Sequence, residues 1–181
     1  MKQSAPLSKS QYGLYVECVN HAGEACYNLP YIYVLDKSLD IERLRQAVET
    51  AVWAHPTLFT RIERDDDGEP LQTIDLEREQ WSLQVEQIDD IEAVKPQLTV
   101  PFDIVGDRLF HIRLMQDAEH IYLFLDYHHI IVDGTSMQIM LQDIDKAYRG
   151  EAIQPEQLTM AQVAIDKCEG RKSPAFDQAK Q

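Results

Sequence analysis

Cysteine is scarce in this chain: three in 181 residues, at Cys18, Cys26 and Cys168. Their odd number and wide spacing fit neither a disulfide framework nor a zinc site, so a reducing, intracellular setting is expected. Basic residues are also few. Seventeen Lys and Arg stand against 31 Asp and Glu, a formal net charge of −14. That excludes the basic footprint needed by nucleic acid or an anionic membrane surface. No run approaches the ~20 apolar residues of a membrane span, and Met1 to Pro6 leads into no signal-peptide core. Repeats and low-complexity tracts are absent. What remains is 44% hydrophobic and 27% charged, the make-up of one soluble domain with a buried core. A cytoplasmic, acidic α/β protein is expected.

What is present centres on His128-His129-Ile130-Ile131-Val132-Asp133-Gly134. The preceding run, Ile121 to Tyr127, is nearly apolar on both parities and predicts a strand buried on both faces. Thr135-Ser136-Met137 opens an amphipathic helix. Two histidines thus end a buried strand, and an Asp-Gly pair turns the chain into a helix. Rigid elements hold such a junction while the loop exposes it, which suits a reactive group.

The other elements follow from local signals. Ser8 and Gln11 form a capping box for a helix reaching about Asn20, with Tyr12, Leu14, Tyr15, Cys18 and Val19 on one apolar face. Tyr27 to Leu35 reads as a strand with Pro30 near its entry. Asp40 caps a helix over 41–54, in which Ile41, Leu44, Ala47, Val48, Ala51 and Val52 recur at helical spacing; His55-Pro56 ends it. Leu58 to Arg64 and Leu71 to Ile74 read as strands joined by Asp65-Asp66-Asp67-Gly68. Those aspartates lack the alternating ligands and distant Glu of a calcium loop and read as a solvated turn. A strand over 81–88 and a short helix over 92–98 are expected. Leu109 to Met115 pairs with Ile121 to Tyr127 through a short turn as an antiparallel hairpin. A helix over 136–148 buries Met137, Met140, Leu141, Ile144 and Tyr148, and Gly150 stops it. Thr159 to Cys168 is a last helix, and 169–181 reads as a linker or frayed tail. Hairpins mixed with helices predict an α+β fold, helices packed on a largely antiparallel sheet.

Three readings compete for the histidines. Adjacent strand residues point to opposite faces, so His128 and His129 cannot share a metal ion without distortion, and no Cys or His stands at a useful spacing. Both could be core groups bonded to the backbone. Or one anchors in the core and the other, neutral near pH 7, acts as a base in a cleft. In that case Asp133 holds the turn with a basic side chain. Gly134 permits close backbone approach or an unusual dihedral, and the helix start favours a developing oxyanion. No Ser or Cys sits in a nucleophile turn, which favours direct transfer between two bound substrates.

The run His128-His129-Ile130-Ile131-Val132-Asp133-Gly134 resembles the HHxxxDG motif of the condensation domains of non-ribosomal peptide synthetases, within the chloramphenicol-acetyltransferase-like superfamily. Companions stand in the family's order. Leu7-Ser8-Lys9-Ser10-Gln11-Tyr12-Gly13-Leu14-Tyr15 resembles the opening S-x-x-Q-x-x-(L/M)-(W/Y) motif, and Tyr27-Asn28-Leu29-Pro30 resembles YNxP. His55-Pro56-Thr57-Leu58-Phe59-Thr60-Arg61-Ile62 is similar to H-x-x-L-R-T-x-F. Pro101-Phe102-Asp103-Ile104 with Leu109-Phe110 resembles PFDL…GPLFR. Together they span about residues 7–150.

The resemblance implies a reaction: an acyl or peptidyl thioester on one carrier protein is joined to the α-amine of an aminoacyl group on the next. Both substrates ride on phosphopantetheine arms, and the domain binds no cofactor of its own. His129, the motif's second histidine, is implied as the functional group, with His128, Asp133 and Gly134 in support. Asp133 is implied to bond an arginine. Phe59 stands where the family usually has that arginine, so Arg61, two residues on, is the substitute candidate. The family's domain is more than twice this length, a pair of similar subdomains with the histidines at their junction. Residues 1–168 are thus expected to be the N-terminal subdomain, one half of that pseudo-dimer, and 169–181 the link toward a C-terminal one. The expected partners are carrier proteins and the C-terminal subdomain. The alternatives are a carrier-binding or homodimerising module without catalysis, and a stand-alone acyltransferase with an intersubunit site.

Overall fold

The computed structural model describes residues 2–171. In chain order the elements are β1 (Lys2–Pro6), α1 (Lys9–Asn20), β2 (Asn28–Asp36), α2 (Ile41–Ala54), β3 (Arg61–Arg64), β4 (Pro70–Asp75), β5 (Val85–Gln87), α3 (Ile91–Val94), β6 (Phe110–Gln116), β7 (His120–His128), α4 (Gly134–Arg149) and α5 (Met160–Arg171). They build a four-stranded sheet in the order β2-β7-β6-β5 and a three-stranded sheet in the order β1-β4-β3. All pairs are antiparallel except β5 with β6.

β7 lies inside the larger sheet and is buried from Ile121 to His128. Leu123, Leu125 and Tyr127 face the main core with Val48 and Val52 of α2 and Met137, Met140 and Ile144 of α4. Tyr122 and Phe124 face a second cluster with Ile91, Leu98 and Met115. Both faces are covered, which is why the strand shows no apolar–polar alternation. Register places Asn28 opposite His128, and Phe110 opposite Tyr127.

The helices that hold this strand start and stop as their caps dictate. Asp40 Oδ1 accepts the N–H groups of Glu42 and Arg43 at the head of α2. Asp133 heads α4, and Gly150 closes it at φ 79°, a left-handed conformation that glycine adopts without a side-chain clash. α2 and α4 pack against each other over the sheet.

Several expectations are corrected. Pro56–Phe59 forms a 3-10 turn, and only Arg61–Arg64 is strand. Pro56 suits the first position of a helical turn, and the turn sends both Leu58 and Phe59 into the core, which a strand would not. Of the strand expected over 81–88, only Val85–Gln87 pairs; the N–H of Leu83 is met instead by Glu49 Oε1 at 2.8 Å. β1 is an addition to the expected elements, because Lys2–Pro6 carries no periodic apolar pattern and its pairing is imposed by β4. On α1, Tyr12 and Val19 are exposed while Gln11 and Tyr15 are buried. α5 runs to Arg171, three residues past the expected boundary; the tail beyond it lies outside the described residues.

Candidate functional site

The two histidines part company at the end of β7, as strand alternation requires. His128 is 4% exposed. Its Nδ1 accepts the N–H of Ile130 at 3.1 Å, and its Nε2 lies 3.3 Å from Cys18 Sγ. Phe102 meets the ring edge-on. Burial, with a smaller contribution from His129, pushes its pKa down to about 4, so the ring is neutral at pH 7.

His129 points the other way and is exposed. Its backbone N–H donates to Tyr27 O at 2.8 Å. Its Nδ1 lies 2.7 Å from Val132 O. A carbonyl oxygen only accepts, so Nδ1 carries the hydrogen and, in the neutral ring, Nε2 is left with its lone pair free. The ring lines a groove of about 610 Å³ with Ser10, Gln11 and Leu14 of α1, Ser136 of α4 and Met160 of α5. A more enclosed cavity of about 290 Å³ shares Ile131, Val132 and Ser136 with that groove and continues over Tyr127, Met137 and Met140.

The opening motif has a physical role at this site. Gln11 is buried; its Oε1 accepts the N–H of Ser8 at 3.0 Å, and its Nε2 lies 3.4 Å from Ile130 O and 3.2 Å from Gln72 Oε1. One amide therefore caps α1 and ties it to the histidine turn.

Comparison with known proteins decides the family. The condensation-domain family model matches residues 1–181. This chain belongs to the condensation-domain family. It is 32% identical over 163 residues to surfactin synthase subunit 1 of Bacillus subtilis (strain 168), covering 88% of this chain and 4% of that protein. It is 30% identical over 177 residues to gramicidin S synthase 2 of Aneurinibacillus migulanus, covering 97% of this chain and 4% of that protein. The starter condensation domain of rhizomide synthetase RzmA superimposes with a TM-score of 0.77 at 20% identity, over 98% of this chain and 46% of that one. The first condensation domain of the CDA synthetase gives 0.74 at 19% identity, over 97% and 48%. The fold is thus the chloramphenicol-acetyltransferase-like fold of these domains. The chain spans a small part of its curated relatives and under half of each of these solved chains.

Within the condensation-domain frame, the supporting residues differ from expectation. Asp133 does not meet Arg61. Its Oδ1 accepts the N–H of Ser136 at 2.8 Å and the Ser136 hydroxyl at 2.7 Å, bonds that hold its carboxyl below the usual range. Arg61 instead gives its Nε to Glu79 Oε1 at 2.8 Å and its Nη1 to Gly106 O at 2.6 Å. Glu79 also takes Arg108 Nη2 at 2.8 Å. A nearly buried carboxylate needs such cations more than an exposed capping Asp does. Phe59, at the family's arginine position, is a core residue stacked on Trp53 and edge-on to Phe110.

Two further expectations are corrected. Gly134 has no positive φ, and a Cβ there would meet nothing within 4 Å, so it serves as an ordinary first helical residue. The start of α4 is less open to an oxyanion than expected: the Ser136 N–H is taken by Asp133, whose carboxylate already complements the helix dipole.

Other residues at the site escape a reading from sequence. Asn28 of the YNxP-like segment gives its Nδ2 to Asp126 Oδ2 at 2.7 Å and to Val100 O at 2.9 Å; the motif marks it, but its partner is hidden in an apolar strand. His55 caps the end of α2 as expected and also sets Nε2 3.0 Å from Asp143 Oδ2 at the rim of the enclosed cavity. Among the described residues, no three His, Cys, Asp or Glu side chains group to hold a metal ion, and no helix is long and apolar enough to cross a membrane.

Proposed function

We propose that this chain is the histidine-bearing N-terminal subdomain of a cytoplasmic, amide-forming condensation domain. Its substrates are an acyl or peptidyl thioester and an aminoacyl amine, each carried on a phosphopantetheine arm of a carrier protein. The observation that carries this reading is the Nε2 of the exposed His129, left free by the bond between Nδ1 and Val132 O.

The chemistry follows from that nitrogen. The amine nitrogen attacks the thioester carbonyl carbon, the C–N bond forms, and the C–S bond breaks. The amine loses a proton and the departing thiolate gains one. Nε2 of His129 accepts the N–H of the attacking amine, which fixes the direction of its lone pair. A free α-amine has a pKa near ~8, so much of the gain comes from orientation, with proton removal as the bond forms. The chain holds no cofactor of its own in this reading; the phosphopantetheine arms belong to the carriers. The enclosed cavity, about 290 Å³, is at the small end for a ligand pocket; we assign it to the side chain or short acyl group next to the thioester.

The outer face of α1 supports a covering partner. Tyr12, Val16 and Val19 are 47%, 38% and 40% exposed and lie along one side of the helix. The C-terminal subdomain is the proposed cover. A second copy of this chain is the other candidate, and light scattering at high concentration separates them: a strict monomer excludes the homodimer.

The functional test is complementation. Adding a separately produced C-terminal subdomain to this chain and two loaded carriers is expected to yield the amide product on the downstream carrier, read by mass spectrometry. The chain alone is expected to give none. Turnover by the chain alone, lost in His129→Ala, would contradict the need for a second subdomain.

A further inference from the structure

We infer that Cys18 is a positioning residue for His129 and acts through His128: its sulfur accepts the Nε2–H of the buried ring and holds the turn on which His129 stands. The inference rests on His129 being the working group proposed above.

The hydrogen-bond pattern fixes the direction of that contact. Ile130 N–H donates to His128 Nδ1 at 3.1 Å. A ring nitrogen that accepts carries no proton, so in the neutral ring the hydrogen is on Nε2. Nε2 lies 3.3 Å from Cys18 Sγ, within reach of an N–H···S bond. Among the described residues, no other hydrogen-bond partner meets that nitrogen. The rest of the ring's aromatic surroundings are Phe102, 5.9 Å away and edge-on, and Tyr27, 6.2 Å away and tilted. Burial foremost, then Cys26 and Glu17, pushes the Cys18 thiol up. The sulfur therefore stays a neutral thiol near pH 7, an acceptor and not a nucleophile.

The ring is thus pinned at both nitrogens, and the two pins belong to different elements. Cys18 stands on α1; Ile130 is the residue after His129. Ile131 N–H closes the same turn on His128 O at 3.1 Å, and His129 N–H is held by Tyr27 O at 2.8 Å. With that turn closed, Val132 O lies 2.7 Å from His129 Nδ1. Without the sulfur, a buried Nε2–H has no acceptor, a state that proteins avoid. The ring would relieve it by turning, at the expense of the Ile130 bond and of the turn.

The test reads both histidines in this chain by the NMR shifts of their ring nitrogens. Cys18→Ser keeps an acceptor; Cys18→Val keeps a compact apolar side chain without one. The wild type and Cys18→Ser are expected to show His128 as the Nε2–H form, with that hydrogen slow to exchange, and His129 as a single Nδ1–H form. Cys18→Val is expected to lose the slow Nε2–H of His128 and to show both ring forms at His129. A Cys18→Val spectrum in which His129 keeps its single Nδ1–H form would overturn the inference. If Cys18→Val fails to fold, the wild type decides: His128 as the Nδ1–H form, or an Nε2–H exchanging as fast as in solvent, overturns it. A domain that turns over equally well after His129→Ala would sink the functional reading while leaving these spectra as expected, so the two failures are distinguishable.

Discussion

Asn28 and Asp126 join across β2 and β7 through a 2.7 Å hydrogen bond, close to the histidine turn. Asp126 is fully buried, and burial raises its pKa to about 6, against the opposing bonds from Asn28 and the Leu29 backbone. This carboxyl binds its proton more tightly folded than unfolded. Its favourable contribution is present below the ordinary carboxyl value of 3.8 and is lost as pH rises through about 6. His128 runs the other way: held neutral, it supports folding above the ordinary value of 6.5 and loses that support as pH falls toward about 4. The two trends oppose each other in weakly acidic solution. Asp126→Asn is therefore expected to stabilise the chain at pH 7.5 by roughly 2–3 kcal/mol and to lose that advantage by pH 4. Urea melts across this range check it; an equal effect at both pH values contradicts it.

Asp133 acts as a helix cap. Asp133→Ala should cost about 1 kcal/mol, and the cost should be the same in the wild-type background and in an Arg61→Ala background. Arg61 and Glu79 should show coupling in the same kind of double-mutant cycle. Coupling between Asp133 and Arg61 would restore the pairing that the structure denies.

Phe59 replaces a charge by an aromatic core. Phe59→Ala should cost about 3–5 kcal/mol, as for other buried aromatics. Phe59→Arg should be at least as damaging, since Trp53 and Phe110 offer the guanidinium no anion. Chemical denaturation reads both; a stable Phe59→Arg variant would show that Asp133 can leave its cap to meet it.

Met137 and Met140 line the enclosed cavity beside the groove. Met137→Trp should fill it. In the complete domain this is expected to slow condensation of donors with large side chains while sparing glycyl or acetyl donors, measured as kcat/KM. Equal loss for both classes would mean that the cavity is packing space.

The readable parts of this chain are those set by local chemistry. The box of Ser8 and Gln11, the Asp40 cap and the both-faces-apolar run before His128 each declare an element without help from distant residues. Arg61 shows the limit. Spacing places it on a suitable strand, but its partner is chosen by Glu79, whose nearly buried carboxylate no local pattern reveals. Cys18 reads as one more residue on an apolar helix face, because its contact with His128 spans 110 positions of the chain. β1 is silent for a related reason: an edge strand this short takes its pairing from its neighbour.

The most direct measurement is the single-turnover rate of amide formation in the complete domain, with both carriers loaded and His129 changed to Ala. The account predicts a fall on the order of 10²-fold or more, with the fold and carrier binding intact. An unchanged rate would mean that the exposed imidazole at the end of β7 takes no part in joining amine to thioester.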